Sequence, residues 1–87
     1  MPHLQVNYHQ DPGHGWIEVP RAEVYRLGVA NRISRCSYQQ GDRVYLEEDC
    51  DAPLFIEAAR ADGIDVLPID RHTDSDSPIR RMARFQA

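Results

Sequence analysis

The chain has 87 residues, enough for one small domain with a modest core and little room beside it for a deep catalytic cleft. Fourteen acids oppose ten bases, and the net charge of −4 argues against a general duplex-DNA binder, which needs a basic face. All ten bases are arginine, so a nucleophilic, Schiff-base or phosphate-loop lysine is excluded, as is the lysine that nucleases commonly set beside metal-binding acids.

Leu4, Val6 and Tyr8 alternate with polar residues, the pattern of a strand with one buried face. DPGHG, residues 11–15, predicts a tight turn, with Pro12 fixing φ and Gly13 taking the positive φ of a type II turn. GWIEVP returns as a second strand, Ile17 and Val19 on one face and Trp16 and Glu18 on the other. Pro20 then opens a short helix with Val24 and Leu27 on its apolar side, and Gly28 is its stop in the left-handed conformation. Val29 and Ile33 suggest one further helical turn.

Residues 34–48 read as a second hairpin turning at Gln40, Gly41 and Asp42, with Cys36 and Tyr38 alternating in its first arm. In its second arm Val44 and Leu46 face one way, and Tyr45 and Glu47 face the other, which places Glu47 towards solvent. Asp51 precedes Ala-Pro at the start of a second helix and is the expected N-cap. Leu54, Phe55, Ala58, Ala59 and Ala61 supply that helix's apolar face, and Gly63 ends it. IDVLPID is a last strand that Pro68 confines to an edge. HTDSDS is a polar linker, and the basic tail after it predicts a short helix laying Ile79, Met82 and Phe85 on the body, so that residues 72–87 pack on the rest. The expected fold is a single α+β domain over residues 1–87, in the order β-β-α-β-β-α-β. Its antiparallel sheet has four or five strands, with two short helices on one face.

Several clusters compete for function. The acids of YLEEDCDAP repel one another unless cations answer them, and Arg35 or Arg43 could do so within the molecule. Hard divalent ions suit oxygen ligands, but the spacing is not that of an EF-hand loop, and no metal is expected. Glu47, Glu48 and Asp49 instead form a surface complementary to a basic partner, with Tyr45 and Trp16 as aromatic anchors, although Trp16 suits a core equally well. His9, Asp11 and His14 share one hairpin loop and could hold a transition metal or supply a base, but a hairpin tip has no walls to exclude water. Cys36 and Cys50 match no zinc pattern. They read as reduced, partly buried hydrophobes unless their strands pair, and the acids around Cys50 make its thiolate scarce. Arg80, Arg81 and Arg84 could touch phosphate or pair with the chain's own acids, as the neighbouring Asp74 and Asp76 suggest.

DPGHGW, YLEEDCD and a later SPIRR together resemble a family of small uncharacterised proteins carried by bacteriophages, prophages and plasmids. The likeness runs from about Asp11 to Arg81, matching at Asp11, Gly13, His14, Gly15, Trp16 and residues 45–51. Cys36 stands where that family is expected to carry an aromatic residue, which counts against a role resting on its thiol. The resemblance implies a mobile-element setting rather than a mechanism; taken with the acidic surface, the expected function is an accessory protein that binds a host protein without catalysis and without a cofactor. An inhibitor of a defence system such as CRISPR is its most concrete form. A small metal-dependent enzyme and a regulator touching nucleic acid through the arginine tail are the alternatives. No apolar run approaches the roughly 18 residues of a membrane span, and MPHLQVNYHQ lacks the basic-then-apolar pattern of a secretory signal, so the cytoplasm is the expected compartment.

Overall fold

The computed structural model describes residues 2–87. Its elements run β1 (His3–Gln10), β2 (Gly15–Pro20), α1 (Arg21–Arg26), a 3₁₀ turn (Ala30–Arg32), β3 (Tyr38–Gln40), β4 (Arg43–Glu47), α2 (Ala52–Ala61), β5 (Asp65–His72), a second 3₁₀ turn (Pro78–Arg81) and β6 (Ala83–Arg84). The expected order is therefore present, with one strand added at the C-terminal end. The sheet has six strands in the order β5-β1-β2-β4-β3-β6. It is mixed rather than purely antiparallel, because β5 lies parallel to β1 from His3↔Asp65 to Gln10↔His72. The passage through α2 returns the chain to the β1 edge in the parallel sense, as a helical crossover does. Pro68 sits in the outermost strand, where its missing N–H breaks no ladder bond on the open side.

Alternation sets the two faces. Val6, Ile17, Val19, Val44 and Leu46 point to one side and pack with Val24 of α1 and Ala52, Phe55 and Ala59 of α2. Both helices thus cover one face, as expected. Gly28 and Gly63, at φ 73° and 80°, end the helices in the left-handed region, which a side chain seldom adopts. Gly13 does not take a positive φ. Its turn is closed by the Asp11 carboxylate, which accepts the amides of Gly13 at 3.0 Å and His14 at 2.9 Å, so the side chain replaces the type II geometry.

The opposite face carries a second apolar layer of Trp16, Tyr38, Tyr45 and Ile79, with Met82 against it. The tail builds that layer, but not as a helix. The Pro78–Arg81 turn sets Ile79 over the sheet, β6 pairs with β3, and Phe85 then enters the helix-side core. The tail therefore wraps the sheet edge and supplies apolar groups to both faces. A continuous helix with residues three apart would have kept all three on one side. Among the described residues no helix is long and apolar enough to cross a membrane.

Candidate functional site

Four segments far apart in the chain converge at one end of the sheet: the 11–16 turn, the β4–α2 junction, the 77–84 tail and residues 36–38. A cleft of about 390 Å³ between them is lined by His14, Trp16, Cys36, Tyr38, Glu47, Asp49, Cys50, Arg80 and Arg84.

Asp11 anchors the first segment to the third. Arg80 donates Nε to Asp11 Oδ2 at 2.6 Å and Nη2 to Oδ1 at 2.9 Å, and the Ser77 amide adds a bond to Oδ2 at 2.9 Å. The Arg80 guanidinium, together with these amides, holds the Asp11 carboxyl well below the usual carboxylate range, although burial opposes the shift. The same guanidinium lies 5.5 Å from the Trp16 ring centroid, and that of Arg84 lies 4.4 Å from the Tyr38 ring. The arginine tail is thus spent largely on the molecule itself. Arg80 also reaches Asp76, at 3.9 Å, one of the acids that suggested such pairing.

The acids of the β4–α2 junction are distributed differently from the sequence reading. Glu47 is buried, not exposed. It does point away from Val44 and Leu46, but the tail covers that face too. Its carboxylate accepts the Asp49 and Cys50 amides, each at 2.8 Å, and lies 3.6 Å from His14 Nδ1. Asp51 stands at the N-cap position of α2 but makes no capping bond. It is buried and accepts the Ser34 amide and hydroxyl and the Ser37 hydroxyl, the last at 2.5 Å, so its oxygens are engaged by the 34–37 segment instead of the helix. Glu48 is half-buried and accepts the Tyr8 hydroxyl, a bond that raises the Tyr8 pKa. Only Asp49 of the cluster is exposed. Arg43, a candidate for neutralising these acids, pairs instead with Glu18 at 2.9 Å.

Trp16 and Tyr45, expected as surface anchors, are 2% and 8% exposed and belong to the second apolar layer. Among the described residues, the Trp16 Nε1–H is the only buried side-chain polar group without a hydrogen-bond partner. His9 is drawn to Glu18, at 2.8 Å, rather than towards His14 and Asp11. The three do not form a metal site, and among the described residues no three His, Cys, Asp or Glu side chains are grouped to hold an ion.

Cys36 and Cys50 are both exposed rather than partly buried. Cys36 lies in the turn before β3, not in a strand. The Cys50 thiol donates to Cys36 Sγ at 3.6 Å. Its pKa is pushed up to about 12 by the Cys36 sulfur and the Glu47 carboxylate. Nothing in the 34–37 segment announced this proximity, since it depends on Asp51 binding Ser34 and Ser37. No protein-family model matches the chain, and no curated protein or solved structure is significantly similar to it.

Proposed function

We propose that the protein acts by binding rather than catalysis, docking the mouth of this cleft on a basic surface of a host protein. The observation that supports the reading is how the acids are used. Asp11, Glu18, Glu47 and Asp51 each hold several donors of the fold itself, which leaves them fixed as structural acceptors. Asp49 remains exposed at the cleft, with Glu48 half-buried beside it in sequence. An exposed carboxylate on a rigid junction steers a cationic partner and sets orientation more than it adds affinity. The resemblance to mobile-element proteins supports an accessory role, and an inhibitor of a nucleic-acid-handling defence complex is its most specific form, since such complexes carry basic channels.

The test is an affinity capture of the tagged protein from host lysate, with mass spectrometry, repeated with Glu48→Gln/Asp49→Ala. These substitutions leave the buried Glu47 in place. A single stoichiometric partner that the double variant fails to retain, at a temperature where its own melting curve shows it fully folded, is the expected result. Equal retention by the variant overturns the role of Glu48 and Asp49.

A further inference from the structure

We propose that Cys36 and Cys50 are a redox-active dithiol that exchanges with low-molecular-weight disulfides, Cys36 attacking and Cys50 resolving. The proposal goes beyond the binding reading and stands independently of it.

The sulfurs lie 3.6 Å apart. Closing to an ordinary S–S bond of about 2.05 Å needs a movement of only about 1.5 Å. The residues around the pair are committed to that approach. Ser34 and Ser37 flank Cys36, Asp51 follows Cys50, and the buried Asp51 carboxylate binds both serines. The Cys36 amide donates to Ser34 Oγ at 3.1 Å, and the Cys50 amide donates to Glu47 Oε2 at 2.8 Å. Ser37 Oγ also accepts the Glu47 amide at 3.0 Å, and the Phe85 amide bonds the Ser37 carbonyl at 2.9 Å. Both loops are therefore tied to one frame, and the two thiols project from it into the same cleft.

The cleft has further features that suit a ligand. Trp16, whose buried Nε1–H has no acceptor, lines it beside the thiols. Arg84 lines the same cleft and spends one N–H on the Arg35 carbonyl. Its guanidinium favours a ligand that carries a carboxylate.

The order of attack follows from the surroundings. Cys50 lies between Asp49 and Asp51 in the chain and beside the Glu47 carboxylate, and these negative charges disfavour its thiolate. The Cys36 thiolate attacks one sulfur of R–S–S–R, forming Cys36–S–S–R and releasing R–S⁻. Cys50 then attacks Cys36 Sγ. Its proton passes to the Glu47 carboxylate and on to a leaving thiolate, the Cys36–Cys50 bond forms, and the second R–S⁻ departs. A proton from the original Cys36 thiol completes the balance. Two protein thiols are oxidised, one disulfide is reduced, and two R–SH are released.

The test uses the reduced full-length protein and oxidised glutathione, with acid quenching and mass spectrometry; the sole tryptophan, Trp16, reports closure by fluorescence. Wild type is expected to lose two hydrogens with no lasting adduct. Cys50→Ser is expected to stop at one glutathione on Cys36, and Cys36→Ser to form its adduct at least about tenfold more slowly, because the Glu47 carboxylate still stands beside Cys50. Both substitutions are at exposed positions, and matching melting curves of the reduced proteins establish that they fold. Asp51→Asn is expected to retain both thiols yet hold the mixed disulfide longer before closure. The proposal is overturned if wild type stays reduced, if it carries two separate glutathione adducts, or if the two serine variants react at equal rates.

Discussion

Asp11 and Arg80, sixty-nine residues apart, form a two-pronged ion pair at 2.6 and 2.9 Å that joins the hairpin turn to the tail. Its pH dependence follows from the depressed Asp11 pKa. Above the ordinary carboxylate value of 3.8 the group is ionised in both the folded and the unfolded chain, and the pair's contribution is fully present. Below that value the unfolded chain takes up a proton that the folded one refuses, so stability falls with pH until the folded-state group is itself protonated. Asp11→Asn is expected to melt at a lower temperature near neutrality, with the difference from wild type narrowing as pH falls. Melting curves from about pH 7 to about pH 2 check this. A constant offset at every pH would show that the loss is steric rather than ionic.

The same pair shows which parts of the molecule could be read from the chain. The two hairpins, their face assignment and the glycine stops at Gly28 and Gly63 were legible, because alternation and positive φ are local properties. The fates of Asp11, Glu47 and Asp51 were not, since a carboxylate's partner is chosen by tertiary packing. Glu47 does lie opposite Val44 and Leu46. Alternation separates two faces but does not say that the second is also covered, here by Ile79 and Met82. The parallel β1–β5 pairing and the split tail are hidden for the same reason, since each depends on where the chain returns.

The split tail makes two independent stability predictions. Phe85 is 3% exposed in the helix-side core, and Ile79 is equally buried on the other face. Phe85→Ala and Ile79→Ala are each expected to cost about 3 kcal/mol from lost burial and the cavity left behind. For a domain of this size that corresponds to a fall in Tm of roughly 10–20 °C. Because the sites lie on opposite faces, the double variant is expected to be close to additive in denaturant titration. A much smaller effect at Phe85 would mean that the last residues do not hold the sheet edge.

Asp51 separates capping from bridging. If its carboxylate acted on the first turn of α2, serine would replace it at little cost, being a good N-cap. In the observed arrangement Ser34 and Ser37 lose their acceptor. Asp51→Ser is therefore expected to cost about 2–3 kcal/mol, the scale of hydrogen bonds to a buried charged group. The loss is expected to appear first as amide exchange in residues 34–37, with the helix amides still protected. Early exchange in the first turn of α2 would restore the capping role.

Gly15 is required by close approach rather than by its backbone angles. A Cβ there would sit 2.8 Å from Tyr8 Cε1, closer than real Cβ atoms essentially ever come, and 3.0 Å from Glu48 Oε2, tighter than most real contacts. Gly15→Ala must push the Tyr8 ring off Glu48, at a cost of about 1–3 kcal/mol for overpacking. The displacement has its own readout. The Tyr8 hydroxyl titrates above 10.0, first because it donates to Glu48 and then because it is desolvated. Its contribution to stability is thus complete below the ordinary phenol value and is lost as pH rises through the folded-state value. Gly15→Ala and Glu48→Gln are both expected to lower one tyrosine's titration in ultraviolet absorbance, whereas only Gly15→Ala adds the steric cost to the melting curve. An unchanged tyrosine titration in both variants would mean that the Tyr8–Glu48 bond does not hold in solution.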